Sequence, residues 1–333
     1  MSPDRAYPRE AARYIRPFEL HQDLGEVVEL IQVAFGAHMD PTGRAVLEEM
    51  RRRARWSRFW RWLWPSVARF TAPSGFVWVE DGRVVGNVSL RRASAWAGIL
   101  IGNVAVHPDW RRRGIGRSLM RRAIEYASDL GARWVGLEVR AGNDPACQLY
   151  EQLGFQPVGR TRWLVRPPDE PAPVPGDERI RRGRARDTRA LVGLARETIA
   201  KPQRPLLEFT RRQYTISWDR RIDSWLAGRW ERWWVAEAEG RMIGAVRAVR
   251  GRGDRPDQIE ILVQSRAEGE IESALLHRAI RGLRPSRRMI QVVLPRVTPS
   301  LIEALETAGF KKARTLVQMN LPLSRSVSIS AVT

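Results

Sequence analysis

The sequence predicts an α/β chain, an α+β arrangement with a mixed sheet in each of two tandem modules. Three observations carry this expectation. Strand-like and helix-like patterns alternate along 333 residues, more chain than one average domain uses. Five prolines fall between Arg166 and Gly176, a composition that makes a stiff, extended connector. The half after the connector repeats the half before it. The expected division is a first module over 1–166, a linker over 167–176 and a second module over 177–333.

The elements follow from apolar spacing. Arg13 to Leu20 reads as a short strand. Asp23 to Phe35 reads as an amphipathic helix through Leu24, Val27, Val28, Ile31 and Phe35, with Asp23 as its N-cap. A basic, aromatic segment follows from Thr42 to Phe70. Phe76 to Glu80 and Arg83 to Arg91 alternate on either side of Asp81-Gly82, as a tight hairpin does. Ala97 to Val106 is apolar enough for a buried strand. Gly114 to Leu130 is helical, and Gly131 ends it. Trp134 to Val139 is a strand. Asp144 to Leu153 is a short helix closed by Gly154, and Phe155 to Val165 is the last strand. In the second half, Arg179–Arg182, Asp187–Ile199, Trp233–Glu237, Met242–Val249, Ile259–Val263, Ser273–Ile280 and Met289–Leu294 repeat these elements in order. Ala308-Gly309-Phe310 answers Leu153-Gly154-Phe155. Each copy has one strand after its Gly-Phe pair, and either a strand from the other copy or Ser326 to Val332 is expected to fill the gap.

Composition sets outer limits. At 43% hydrophobic and 28% charged residues, the chain is neither disordered nor collagen-like. No apolar run approaches the roughly 18–20 residues of a membrane span. Met1 to Glu10 is polar and lacks a signal core, so the expected location is cytoplasmic. Cys147 is the only cysteine, which excludes an internal disulfide and a cysteine-based zinc site, and no metal is expected. The net charge is +20, and all basic residues except Lys201, Lys311 and Lys312 are arginine. Such a field attracts nucleic acid, anionic lipid or an anionic cofactor. The arginines are nonetheless scattered through ordinary globular segments, as on a solvated surface. The sequence shows no helix-turn-helix, zinc-finger or aromatic RNA-binding signature, which argues against nucleic acid.

One motif carries chemistry. Val104, Ala105 and Val106 end a buried strand and lead through His107-Pro108-Asp109-Trp110 into Arg111-Arg112-Arg113-Gly114-Ile115-Gly116-Arg117, where a helix begins. Glycines let the backbone approach a ligand closely, and the helix N-terminus adds partial positive charge. Successive N–H groups with arginines beside them suit a pyrophosphate.

These residues resemble the GNAT superfamily of N-acetyltransferases. Arg111 to Gly116 fits its (Gln/Arg)-x-x-Gly-x-(Gly/Ala) signature. Asn143-Asp144-Pro145-Ala146, Leu149-Tyr150-Glu151 and Leu153-Gly154-Phe155 fit its second hallmark, in the same order. The match runs from Arg13 to Val165, about half the chain, so the fold it implies is two tandem GNAT-type modules. The resemblance implies acetyl-CoA as cofactor, bound by the free backbone of Val104, Ala105 and Val106, by Arg111, Arg112, Arg113, Gly114, Ile115, Gly116 and Arg117, and by Asn143. It implies Tyr150 as general acid toward a leaving thiolate, and acetyl transfer to a primary amine by direct attack. For the general base, Glu138 is taken forward, with a water held by Asn103, or Glu80, as alternatives. Cys147 is not the nucleophile, and His107 caps or packs.

The second half departs from this pattern. Aligned through its helix, Glu270 replaces Gly114 and Glu272 replaces Gly116, so two carboxylates are expected to face the pyrophosphate position. Leu305 stands for Tyr150 and Thr298 for Asn143. This half is expected to be structural or acceptor-shaping. Trp56, Phe59, Trp60 and Leu63 share one helical face, readable as packing, an aromatic acceptor pocket or a membrane contact. The acceptor is a small-molecule or peptide amine, and a homodimer stays open. The competing reading is a non-catalytic acyl-CoA-binding scaffold or sensor.

Overall fold

The structure is a computed structural model that describes residues 14–36, 74–93, 97–168, 179–217, 230–253, 255–284 and 287–323, with isolated positions between 39 and 52. The aromatic face at Trp56 to Leu63, most of the proline connector and Ser326–Val332 lie outside the described residues. Contacts divide the chain into two compact units. One comprises Met1–Glu138, Pro145–Gln156 and Asn320–Thr333; the other comprises Val139–Asp144 and Pro157–Met319.

In the first unit, β1 (Tyr14–Pro17), β2 (Ser74–Glu80), β3 (Arg83–Arg92) and β4 (Gly98–Val106) are antiparallel neighbours. β5 (Trp134–Arg140) runs parallel to β4. The hairpin turn at Asp81-Gly82 is left-handed at both residues, as the twist of a two-residue connection requires. Helix α1 (Leu20–Phe35) buries Leu24, Val27, Val28 and Ile31 against Val77, Val79, Val84 and Ala105. Helix α2 (Ile115–Asp129) presses on β3 at Gly86, where an added Cβ would lie 2.9 Å from both Ile115 and Leu119. Only glycine admits so close a helix.

Asp23 is not the N-cap expected from the sequence. The helix begins at Leu20 and Glu19 is its N-cap. Asp23 lies fully buried in the first turn, where it accepts the Glu19 N–H (2.7 Å) and a two-pronged bond from Arg16 on β1 (2.6 Å each). The carboxylate reaches back to the cap rather than forming it.

The second unit repeats the plan with β7 (Ile180–Arg182), β8 (Glu231–Ala238), β9 (Arg241–Val249), β10 (Asp257–Val263) and β11 (Ile290–Leu294). Its helices are α4 (Thr188–Thr198), α5 (Glu272–Leu283) and α6 (Pro299–Thr307), with α3 (Asp144–Gln152) completing the first-half set. The first-turn device recurs. Arg181 holds Asp187 through two bonds of 2.8 Å, and Asp187 accepts the Arg184 N–H (2.7 Å). Arg181 keeps the Asp187 carboxyl below its ordinary range by hydrogen bonding, against the opposing effect of burial. Close packing recurs too: a Cβ on Gly244 would lie 2.3 Å from Ile271 and 3.1 Å from Leu275. Ile271 and Leu275 therefore match Ile115 and Leu119.

The strand shortage is met by exchange. β6 (Gln156–Arg166), which the repeat assigns to the first half, pairs antiparallel with β11 from Ile290↔Arg166 to Leu294↔Arg162. The end of β12 (Lys311–Pro322) belongs with the first unit, where Leu323 N–H donates to the Arg133 carbonyl (2.9 Å). The repeat boundary and the compact units thus cut the chain at different places.

Candidate active site

The site begins where β4 parts from its neighbours. Pairing of β4 with β5 stops at Ile101↔Leu137. On the other edge, the register with β3 shifts between Asn87 and Ser89. Asn103 sits at this irregularity with φ +50°, and the buried Asn87 side chain donates to its carbonyl (2.8 Å). One extra residue on one strand bends it and leaves backbone groups unpaired. Val104, Ala105 and Val106 follow the bulge, without ladder partners on the β5 side.

The strand then delivers the loop. His107 caps the short turn Pro108–Trp110, accepting the Asp109 N–H at Nδ1 (3.4 Å), and packs edge-on against Trp110. Arg112 has φ +65° and Gly114 φ +80°. Left-handed backbone at 112 and again at 114 suits the alternating conformation of an anion nest. Gly114 is the N-cap of α2, and among the described residues no side chain accepts the first amides of that helix. The amides of Ile115, Gly116 and Arg117 precede the first intrahelical bond, Ser118 N–H to Gly114 O (3.0 Å). The dipole of a four-turn helix favours an anion there. Arg112 and Arg113 are exposed. Arg111 is exposed as well, and its guanidinium donates to the carbonyls of Val106 (3.3 Å) and Ala34 (3.4 Å), bracing the loop.

Tyr150 stands beside this nest on α3. A Cβ on Gly116 would lie 3.6 Å from Leu149, and Arg117 donates to Gln152, so α3 lies along the first turn of α2. The Tyr150 ring is 6% exposed and meets Phe155 edge-on at 6.1 Å. Burial, then the neighbouring Cys147, pushes its phenol up to about 12, so the hydroxyl holds its proton at neutral pH. Glu138 is exposed on β5, and Asn143 belongs to the second unit, where its N–H donates to the Arg140 carbonyl (3.0 Å). Glu80 is 7% exposed and accepts from the Trp78 indole (3.4 Å).

The second half has the corresponding nest, and the chain fills it. Glu272 is 2% exposed. Its carboxylate accepts the Gly269 N–H (2.8 and 3.0 Å), the Ile271 N–H (3.2 Å) and the Ser300 hydroxyl (2.9 Å). This corrects the expectation of two carboxylates facing one point. Glu272 folds into the loop, while Glu270 lies on the surface near Arg179 (3.7 Å). Leu305 is fully buried, and Thr298 caps α6 by accepting the Leu301 N–H (3.4 Å). Spacing flags Glu272 but not the direction of its side chain. Glu272→Ala is expected to destabilise the fold by about 1–3 kcal/mol, because buried amides lose their acceptor. A denaturant titration measures this; unchanged stability means the carboxylate is not what holds the loop.

Comparison with known proteins gives the same picture. The Acetyltransferase (GNAT) family model matches residues 40–155. A mycothiol acetyltransferase of Nocardiopsis dassonvillei is 29% identical over 170 residues, 48% of this chain and 47% of that protein. The ribosomal protein bS18-alanine N-acetyltransferase of Escherichia coli K12 is 47% identical over 53 residues, 16% of this chain and 36% of that protein. The chain thus spans about half or less of the curated relatives it matches. A solved tandem GNAT protein from the clavulanic acid biosynthesis pathway shares the fold, with a TM-score of 0.59 at 16% identity over 93% of this chain and 98% of that one. Residues 40–155 therefore match the Acetyltransferase (GNAT) family model, within a fold that the chain shares with a tandem GNAT protein.

Proposed function

We propose that the chain is an acetyl-CoA-dependent N-acetyltransferase acting on a primary amine, with the first half catalytic and the second half structural or acceptor-shaping. One contrast carries this reading: the nest at Gly114 is uncapped, whereas the nest at Gly269 is filled by Glu272. The residues fit the cofactor. Left-handed backbone at Arg112 and Gly114 and the free first-turn amides suit a pyrophosphate, with Arg112, Arg113 and Arg117 adding charge. Val104 to Val106 offer an edge without β5 ladder partners to an extended amide-bearing arm, with Asn143 assigned to the same arm. When bound, acetyl-CoA supplies a thioester acyl group activated toward amine attack.

The chain's own residues then orient and move protons. Tyr150 Oη keeps a proton available for the departing sulfur, because burial disfavours its phenolate. Glu138 accepts the proton of the attacking amine, directly or through water. Positioning of the two substrates supplies most of the acceleration. Relatives named for mycothiol and for the alanine of ribosomal protein bS18 support an acceptor class of small-molecule or peptide amines.

Calorimetry with acetyl-CoA, followed by thiol release in the presence of candidate amines, tests this. One equivalent bound and thiol released on adding an amine is the expected result. Binding without release across a broad amine panel supports the non-catalytic scaffold instead. Two equivalents bound overturn the assignment of a single cofactor half.

A further inference from the structure

A cavity of about 850 Å³ in the second unit takes no part in the chemistry above. Five cations line it: Arg140 at the end of β5, Arg160 and Arg162 on β6, and Lys312 and Arg314 on β12. Among the described residues, no aspartate or glutamate lines it. The side chains of Arg140, Arg160, Arg162 and Lys312 make no ion pair or hydrogen bond among the described residues. Two other arginines of this unit are matched by carboxylates, Arg181 by Asp187 and Glu237, and Arg247 by Glu231 and Glu260.

The cavity is also built. Gln203, 4% exposed, forms part of its wall and donates to Gln318 (2.8 Å). An added Cβ on Gly159 would lie 2.2 Å from the Gln203 amide nitrogen, so glycine at 159 is what admits this wall. Arg314 is stacked on the Trp163 ring at 3.9 Å, which holds its guanidinium in place. Among the described residues, the buried Arg162 Nε has no hydrogen-bond partner. A buried donor left unpaired costs free energy, and like charges gathered in one concave site repel. An anion relieves both at once, and guanidinium groups pair with phosphate or carboxylate through two parallel bonds.

We propose that this cavity binds a small polyanion bearing phosphate or carboxylate groups. Its volume suits a small molecule. As a binding site this stands independently of the acetyltransferase reading.

The test is calorimetry on the full chain with fructose 1,6-bisphosphate and with citrate, using fructose as the neutral control and repeating each titration with saturating CoA. One equivalent of either anion should bind, with fructose silent. Arg160→Gln/Arg162→Gln should weaken binding at least tenfold. Lys312→Gln, an exposed change that leaves the fold alone, should weaken it severalfold. Gly114→Glu and saturating CoA should leave it unchanged. Binding of the bisphosphate alone assigns phosphate, and of citrate alone carboxylate. Absence of binding by both anions overturns the proposal. So does binding that CoA or Gly114→Glu abolishes, or that the glutamine variants leave intact. None of these titrations needs turnover, so failure of acetyl transfer leaves the result standing.

Discussion

Gly114→Glu/Gly116→Glu is expected to weaken acetyl-CoA binding roughly a hundredfold or more, a loss of about 2.7 kcal/mol or greater. The change copies the second half's loop into the first. Gly114 sits at φ +80°, where an L side chain costs about 1–2 kcal/mol. A carboxylate at 116 can then fold into the nest as Glu272 does and satisfy the amides that a pyrophosphate would use. The two glycines are not equivalent. A Cβ at Gly116 meets Leu149 at 3.6 Å and Val106 at 3.7 Å, ordinary contact, so Gly116→Ala should bind acetyl-CoA nearly as the parent does. Gly114→Ala should lower fold stability by about 1–2 kcal/mol through backbone strain, and should weaken acetyl-CoA binding far less than the double variant does. Calorimetry on the four proteins gives the ranking. Equal affinity for the parent and the double variant would show that the anion nest is not the cofactor site.

Tyr150→Phe is expected to lower kcat roughly 10²-fold or more while leaving acetyl-CoA affinity almost unchanged. The phenol is buried against Phe155, so removing one oxygen keeps the packing and deletes only the proton. The pH dependence has a definite sign. With the phenol raised to about 12, its protonated form is present throughout the neutral and mildly alkaline range. A rise or fall of rate with pH in that range therefore reports another group, and Tyr150→Phe should keep the same profile at a lower level. Steady-state kinetics with thiol detection against pH measures both features. A variant that loses cofactor affinity instead of kcat places Tyr150 among the binding residues.

Much of this was readable in order along the chain. The hairpin at Asp81-Gly82, the helix after Gly114 and the break at Gly154 are short-range features, and turn geometry and apolar period specify them within a few residues. The duplication was readable from the repeated order of strand-like and helix-like runs, and the structure adds that Gly86 and Gly244 mark the same close approach of helix to strand. Asp23 shows the limit. An acidic residue near a helix start fits both a cap and a first-turn acceptor, and Arg16 seven residues away decides between them.

The local code thus specified an α/β repeat and the glycine turn that opens α2, because both depend on backbone preferences of neighbouring residues. Three features required the folded chain. The ladder of β6 on β11 joins residues more than a hundred positions apart, and apolar alternation in a strand does not name its partner. The filling of the second nest depends on which way one carboxylate turns. The basic cavity draws its cations from β5, β6 and β12, which in sequence are separate and look like part of a general excess of arginine. Long-range pairing brings these charges together, and only their proximity turns a scattered composition into a site.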